Sequence, residues 1–225
     1  MVKGIYVRAG ARTLAAGIAL ACLAAAPAHA DSPTGEPIVV TGTPAPNLFG
    51  TVTVPITLSR YAADWSRAKR PASHHPLMAQ LIAPARGLSR EQQVAYIQGA
   101  VHRQIRWRSD ATEWGRHDYW ASAAETLNHG AGDMEDRAIL KMHALRALGF
   151  RPSDLILSFG RDKVGGQIAV LIVRTDRNRY LTLDDLGGTP IPVERREGFS
   201  PMMSFSADMA WLHGRRVAAA GARAR

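Results

Sequence analysis

The densest chemistry in the chain lies between residues 110 and 136. Asp133, Glu135 and Asp136 put three carboxylates into four residues. Such a cluster supplies part of a calcium site, which takes six or more oxygens in all. It also suits the first turn of a helix, where the macrodipole and free N–H groups favour negative charge. Ser122, Thr126, His117 and His129 fall in the same region. A hydroxyl next to an imidazole is the minimal nucleophile and base, although the spacing does not demand that pairing. His74-His75 offers two adjacent imidazoles, and with no further ligand nearby it reads as a loop pair rather than a metal site. Cys22 is the only cysteine of the 225 residues. Downstream of it disulfides, cysteine–zinc sites and thiolate chemistry are excluded by counting.

The elements that must position these groups follow from periodicity. Residues 89–105 predict a helix: Ser89 with Gln92 forms a capping-box pair, and Val94, Ile97, Val101 and Ile105 share one face. A second helix is expected from Asp133, as N-cap, to Leu148, with Gly149 as its stop. Its stripe of Ala138, Met142 and Leu145 is broadened by Ile139, Leu140, Ala144 and Leu148, which predicts burial on most sides. Strands are expected at 155–159, 167–174 and 180–184, separated by turn signals at Gly165-Gly166 and 176–178. Residues 49–58 alternate Val52, Val54 and Ile56 with threonine and proline, as a short edge strand would. Trp107, Trp114, Tyr119 and Trp120 either wall a cleft or pack a core. Helix followed by antiparallel strands is an α+β pattern.

The ends of the chain read differently. Lys3, Arg8 and Arg12 lead an apolar run at 13–26, followed by Ala28-His29-Ala30. This is the layout of a secretory signal over residues 1–30, with Asp31 as the first mature residue and a periplasmic or secreted destination. Residues 31–48 read as a flexible linker or arm, 49–213 as the folded domain and 214–225 as a basic tail. Charge is +9, from 28 basic against 19 acidic residues. Arg215, Arg216, Arg223 and Arg225 sit in the Ala/Gly-rich tail. After export such a tail meets solvent, anionic lipid or an acidic protein rather than nucleic acid.

One stretch carries a resemblance. Glu125-Thr126-Leu127, following the Trp-containing segment, and then Gly132-Asp133-Met134-Glu135-Asp136 resemble the bacterial transglutaminase-like cysteine proteinases, whose motif is Glu-x-Leu and then Gly-Asp-Cys-Glu-Asp at a helix start. Phe49-Gly50 with Trp65 resembles the family's N-terminal part. Leu183-Asp184-Asp185 resembles its aspartate strand, and residues 201–206 with Trp211 its C-terminal motif. The resemblance implies a papain-like or transglutaminase-like core, a central helix packed on an antiparallel sheet. It implies a Cys-His-Asp acyl-transfer site in active members, acids beside the cysteine that bind calcium, and periplasmic clipping of surface adhesins under a membrane receptor. Carried over residue by residue, Met134 stands for the nucleophile, Gln167 for the base and Asp184 for the acid. A thioether forms no thiolate and an amide is no general base. The resemblance therefore implies a chain with the form of a peptidase but silent chemistry. Such a chain binds a peptide or protein partner, with a surface adhesin or receptor as the candidate class. The alternatives are a hydrolase with another nucleophile, through Ser122 or His117, and an envelope protein that binds through its basic tail.

Overall fold

The computed structural model describes residues 46, 48–57, 61–176 and 178–215. The expected signal segment, nearly all of the linker, and the tail beyond Arg215 lie outside the described residues. Along the chain come β1 (Val52–Pro55), α1 (Ala62–Ala68), α2 (Pro76–Ile82), α3 (Arg90–Gln104), β2 (Arg106–Trp107), α4 (Asp110–Glu113), α5 (Ala123–His129) and β3 (Ala131–Gly132). They are followed by α6 (Met134–Ala147), β4 (Leu155–Arg161), β5 (Gln167–Arg174), β6 (Tyr180–Leu183), β7 (Ile191–Pro192), β8 (Ser200–Ser206) and β9 (Met209–Gly214).

Short, largely apolar runs bounded by turn residues build one seven-stranded antiparallel sheet, in the order β1-β9-β8-β4-β5-β6-β7. Along β4 and β5 the side chains divide between two cores. Leu155, Leu157, Leu171 and Val173 pack beneath α6 with Ile139, Leu140 and Leu145. Ile156, Val170 and Ile172 face the other way, onto Leu48, Val193 and Phe199. The second helix is buried on most sides as its broad stripe demands, lying against β5 and β4 on one flank and α3 and α5 on others. In α3 the capping box of Ser89 and Gln92 forms, and Val94, Ile97, Val101 and Ile105 are all buried.

Several features go beyond the sequence reading. Residues 200–206 form a strand, although Pro201 argues against one. The chain accommodates it at a register shift between Phe159 and Gly160, where Pro201 faces Gly160. A Cβ on Gly160 would run into the Ser200 carbonyl and Phe199, so only glycine lets the two strands approach here. The short helices α1, α2 and α5 have no counterpart among the expected elements. Two carried legible signals: His75 caps α2 ahead of Pro76, and Ser122 with Glu125 forms a second capping box. β9 reaches Gly214, into the start of the segment read as tail.

Candidate active site

α6 begins at Met134, directly after the buried Gly132-Asp133. Its first residue is half-buried between two cavities. One, of about 280 Å³, is lined by Tyr61, His117, Asp118, Trp120, Asp133, Met134, Glu135, Phe159, Gln167 and Ile168 among others. The other, of about 330 Å³, lies between Met134, the β4–β5 hairpin at Asp162, Lys163 and Val164, and the loop of Asp184, Asp185 and Leu186. Trp120 forms the floor of the first. It is 3% exposed and stacks on Phe159 with ring centres 4.4 Å apart and on Tyr61 at 5.6 Å. The aromatic segment thus serves both expected roles: Trp120 packs the core and walls the cleft, while Trp107 is exposed.

The three sequence-derived positions gather at this cleft, with one difference. Leu171 pairs with Leu183, so the register continued one step sets Asp184 opposite Val170. Side chains opposite each other share a face. Ile168, Val170 and Asp184 therefore lie on one face of the sheet, and Gln167 on the other with Ala169 and Leu171. Ile168 lines both cavities with Met134, and shares the second with Asp184. Gln167 is exposed and lines only the cavity that lacks Asp184. Of the two neighbours it is Ile168 that lines one cavity together with both Met134 and Asp184.

Asp184 is spoken for. Its Oδ2 accepts from Arg196 Nε at 2.7 Å and its Oδ1 from the Leu186 N–H at 3.0 Å. Its backbone carbonyl accepts from Gln98 and Lys141. Asp185 takes Arg137 at 2.9 Å and Lys141 at 3.3 Å. Arg137 and Lys141 are both buried cations on α6, and burial holds the Lys141 ammonium below its ordinary value. The loop after β6 is thereby tied to α6 by charge rather than by apolar packing.

The acidic cluster differs from the sequence expectation in membership: Asp110 joins Asp133 and Glu135 in place of Asp136. Ligand atoms of Asp110, Asp133 and Glu135 lie within 4.8 Å of one another. Asp110, from α4, is far from Asp133 along the chain and had no sequence signal beyond its charge. Asp133 occupies the N-cap position but makes no side-chain cap bond, contrary to the expected role; its carboxylate joins the cluster instead. Asp136 is fully buried and accepts from the Ala121 N–H at 2.7 Å. Burial first, and then the neighbouring Asp110 carboxylate, pushes Asp133 up to about 7. Burial and Asp133 raise Glu135 to about 9 and Asp136 to about 8. Buried oxygens of Asp110, Asp133 and Asp136 have no hydrogen-bond partner. Unpartnered, mutually repelling carboxylate oxygens at such spacing fit a hard cation of the calcium kind, with the remaining oxygens from backbone or water.

The substitute nucleophiles are not assembled. The Ser122 hydroxyl lies in its capping box, 2.8 Å from Glu125 Oε2. Thr126 is fully buried and donates to the Ser122 carbonyl. His129 pairs with Glu113 at 2.7 Å. His117 is exposed at the rim of the first cavity, with no hydroxyl bonded to it among the described residues. His75 bonds Asn128 rather than a partner histidine.

The profile of the bacterial transglutaminase-like cysteine proteinase family fits residues 51–190. Among solved structures, Legionella pneumophila LapG is similar at 26% identity and a TM-score of 0.53, over 60% of this chain and 76% of that one. Its calcium-bound form is similar at 25% identity and a TM-score of 0.54, over 65% and 82%. No curated protein matches. The mixed architecture of helices on an antiparallel sheet is that of the transglutaminase-like, papain-like fold.

Proposed function

Because the chain belongs to the bacterial transglutaminase-like cysteine proteinases, we propose that it keeps the peptide-holding cleft of that fold without the cleaving chemistry. Its role is to bind an extended segment of a protein partner. The observation that carries this reading is Met134 itself, at the first position of α6 with a cavity on either side. A helix N-terminus stabilises a thiolate, but a thioether has no proton to lose. Neither Gln167 nor Ile168, the residues of β5 beside Met134, supplies a base, and Asp184 is engaged by Arg196. Two cavities flanking one residue suit a chain that runs across it and places side chains on both sides.

The reading extends in two directions. Asp110, Asp133 and Glu135 would hold a calcium ion, supported by their spacing, by the unpartnered oxygens of Asp110 and Asp133 and by a calcium-bound relative. That ion would neutralise the cluster and fix the start of α6. Export to the periplasm is supported by the leader pattern at 1–30, and the partner would then be an envelope or surface protein.

The test is a reactivation series on the full chain: the natural protein, Met134→Cys with Ile168→His, and Met134→Cys with Gln167→His. Each is incubated with a mixed peptide library, with and without calcium. A silent natural protein together with cleavage by either double variant supports a binding relic, and the variant that cuts identifies the base position. Cleavage by the natural protein overturns the proposal.

A further inference from the structure

The far end of the sheet carries a second constellation that the cleft does not use. Asp154, just before β4, accepts from Arg151 Nε at 2.9 Å and Nη2 at 3.1 Å. It also accepts from Arg174 Nε at 2.9 Å, with Arg174 Nη2 at 2.8 Å. Burial alone would raise its carboxyl, but these two guanidiniums outweigh burial and hold it below its usual value. Arg90, the first residue of α3, completes the group. Its Nη2 stands 3.9 Å from Asp154, and its guanidinium carbon lies 3.8 Å above the Phe150 ring. The Asp176 carboxylate is 2.9 Å from Arg90 Nε, yet that buried nitrogen has no aligned hydrogen bond. Together with Thr175 and Asn178 these residues line a cavity of about 300 Å³.

The charges do not balance. Three guanidiniums face two carboxylates, and the Asp176 side chain is 70% exposed, so water screens it. Each guanidinium has five N–H donors in a planar fork. Asp154 engages only the Nε and Nη2 sides of Arg151 and Arg174, which leaves the Nη1 groups of all three arginines without a partner among the described residues. A structural ion pair needs one arginine. Three around one carboxylate leave donors and positive charge over, in a concave site open to solvent, and the fork geometry suits a carboxylate or a phosphate.

We propose that this corner is an oxyanion-binding site in which Arg90, Arg151 and Arg174 take one carboxylate or phosphate group of a ligand. It stands apart from the cleft: β5 runs from Gln167 beside Met134 to Arg174 here, about 23 Å at the usual rise per residue. The site does not depend on the function proposed for the cleft.

The experiment is calorimetric titration of the full chain at fixed ionic strength with chloride as balancing salt. One arm uses inorganic phosphate and the other an aspartate-rich peptide. Saturable binding of either supports the site. Phosphate alone identifies a small ion or phosphoryl group, and peptide alone identifies carboxylates of a protein partner. Arg151→Gln, at a side chain 66% exposed, weakens binding about tenfold through a lost charged fork. Asp176→Asn, which releases Arg90, tightens it, a change of sign that a purely structural network would not produce. Absence of saturable binding in both arms, or binding unchanged in Arg151→Gln, overturns the proposal.

Discussion

Arg196 Nε donates to Asp184 Oδ2 at 2.7 Å, and both side chains are nearly fully buried. The aspartate that the family resemblance puts at the acid position is thus held by a guanidinium from the chain beyond β7. Removing one partner of a buried pair strands the other, at a typical cost of about 3–5 kcal/mol. Arg196→Ala should therefore lower the urea midpoint strongly. A loss under about 1 kcal/mol would mean that water replaces the guanidinium and that the pair does not organise the loop.

Calcium should raise the melting temperature. At a hundredfold excess over Kd, one site contributes about 2.7 kcal/mol, or roughly 5–10 °C for a domain of this size. Asp133→Asn removes one repelling carboxylate, so the calcium-free variant should melt above the calcium-free natural protein and should lose its calcium response. Identical melting curves with calcium and with chelator would remove the metal from the proposal.

Ser122→Ala should cost about 1 kcal/mol, the value of a lost helix cap. It should leave peptide binding unchanged, because the hydroxyl caps α5 and bonds Glu125 instead of facing a substrate. Loss of any measured hydrolysis in this variant, with the fold intact, would revive a serine nucleophile.

His213 sets a pH dependence. Its ring bonds Thr51 Oγ1 at 2.7 Å and Ser204 Oγ at 2.8 Å, joining β9 to β8 and to the chain before β1. Burial lowers its pKa from 6.5 to about 4. Between these values the unfolded chain binds a proton that the folded chain refuses, so stability falls as pH drops from 6.5 toward 4 and is level above 6.5 with respect to this group. His213→Gln should make that part of the profile less steep in urea unfolding measured at stepped pH.

Much of the fold was legible locally. The helical stripe of Val94, Ile97, Val101 and Ile105 and the broad apolar surface of α6 became α3 and α6 because one-sided burial writes a 3.6-residue period into the chain. The runs that became β4, β5 and β6 were legible as short apolar stretches separated by turn signals, because burial on both faces of the sheet removes any alternation. β8 was hidden because Pro201 speaks against a strand unless the partner bulges, and the partner's Gly160 lies far away along the chain.

The sequence by itself determined that no cysteine follows residue 22, and with it that no thiolate can act at the head of α6. The family resemblance along the chain proposes Met134 for the nucleophile position and Asp184 for the acid position. The tertiary structure decided what depends on contacts between distant residues. It put Ile168 rather than Gln167 in the cavity that Met134 shares with Asp184, because the fold, not sequence spacing, selects which neighbour points to which side. It gave Asp184 to Arg196, brought Asp110 to Asp133 and Glu135, and gathered Arg90, Arg151 and Arg174 around Asp154. Charges act through space, and only the folded chain sets those distances.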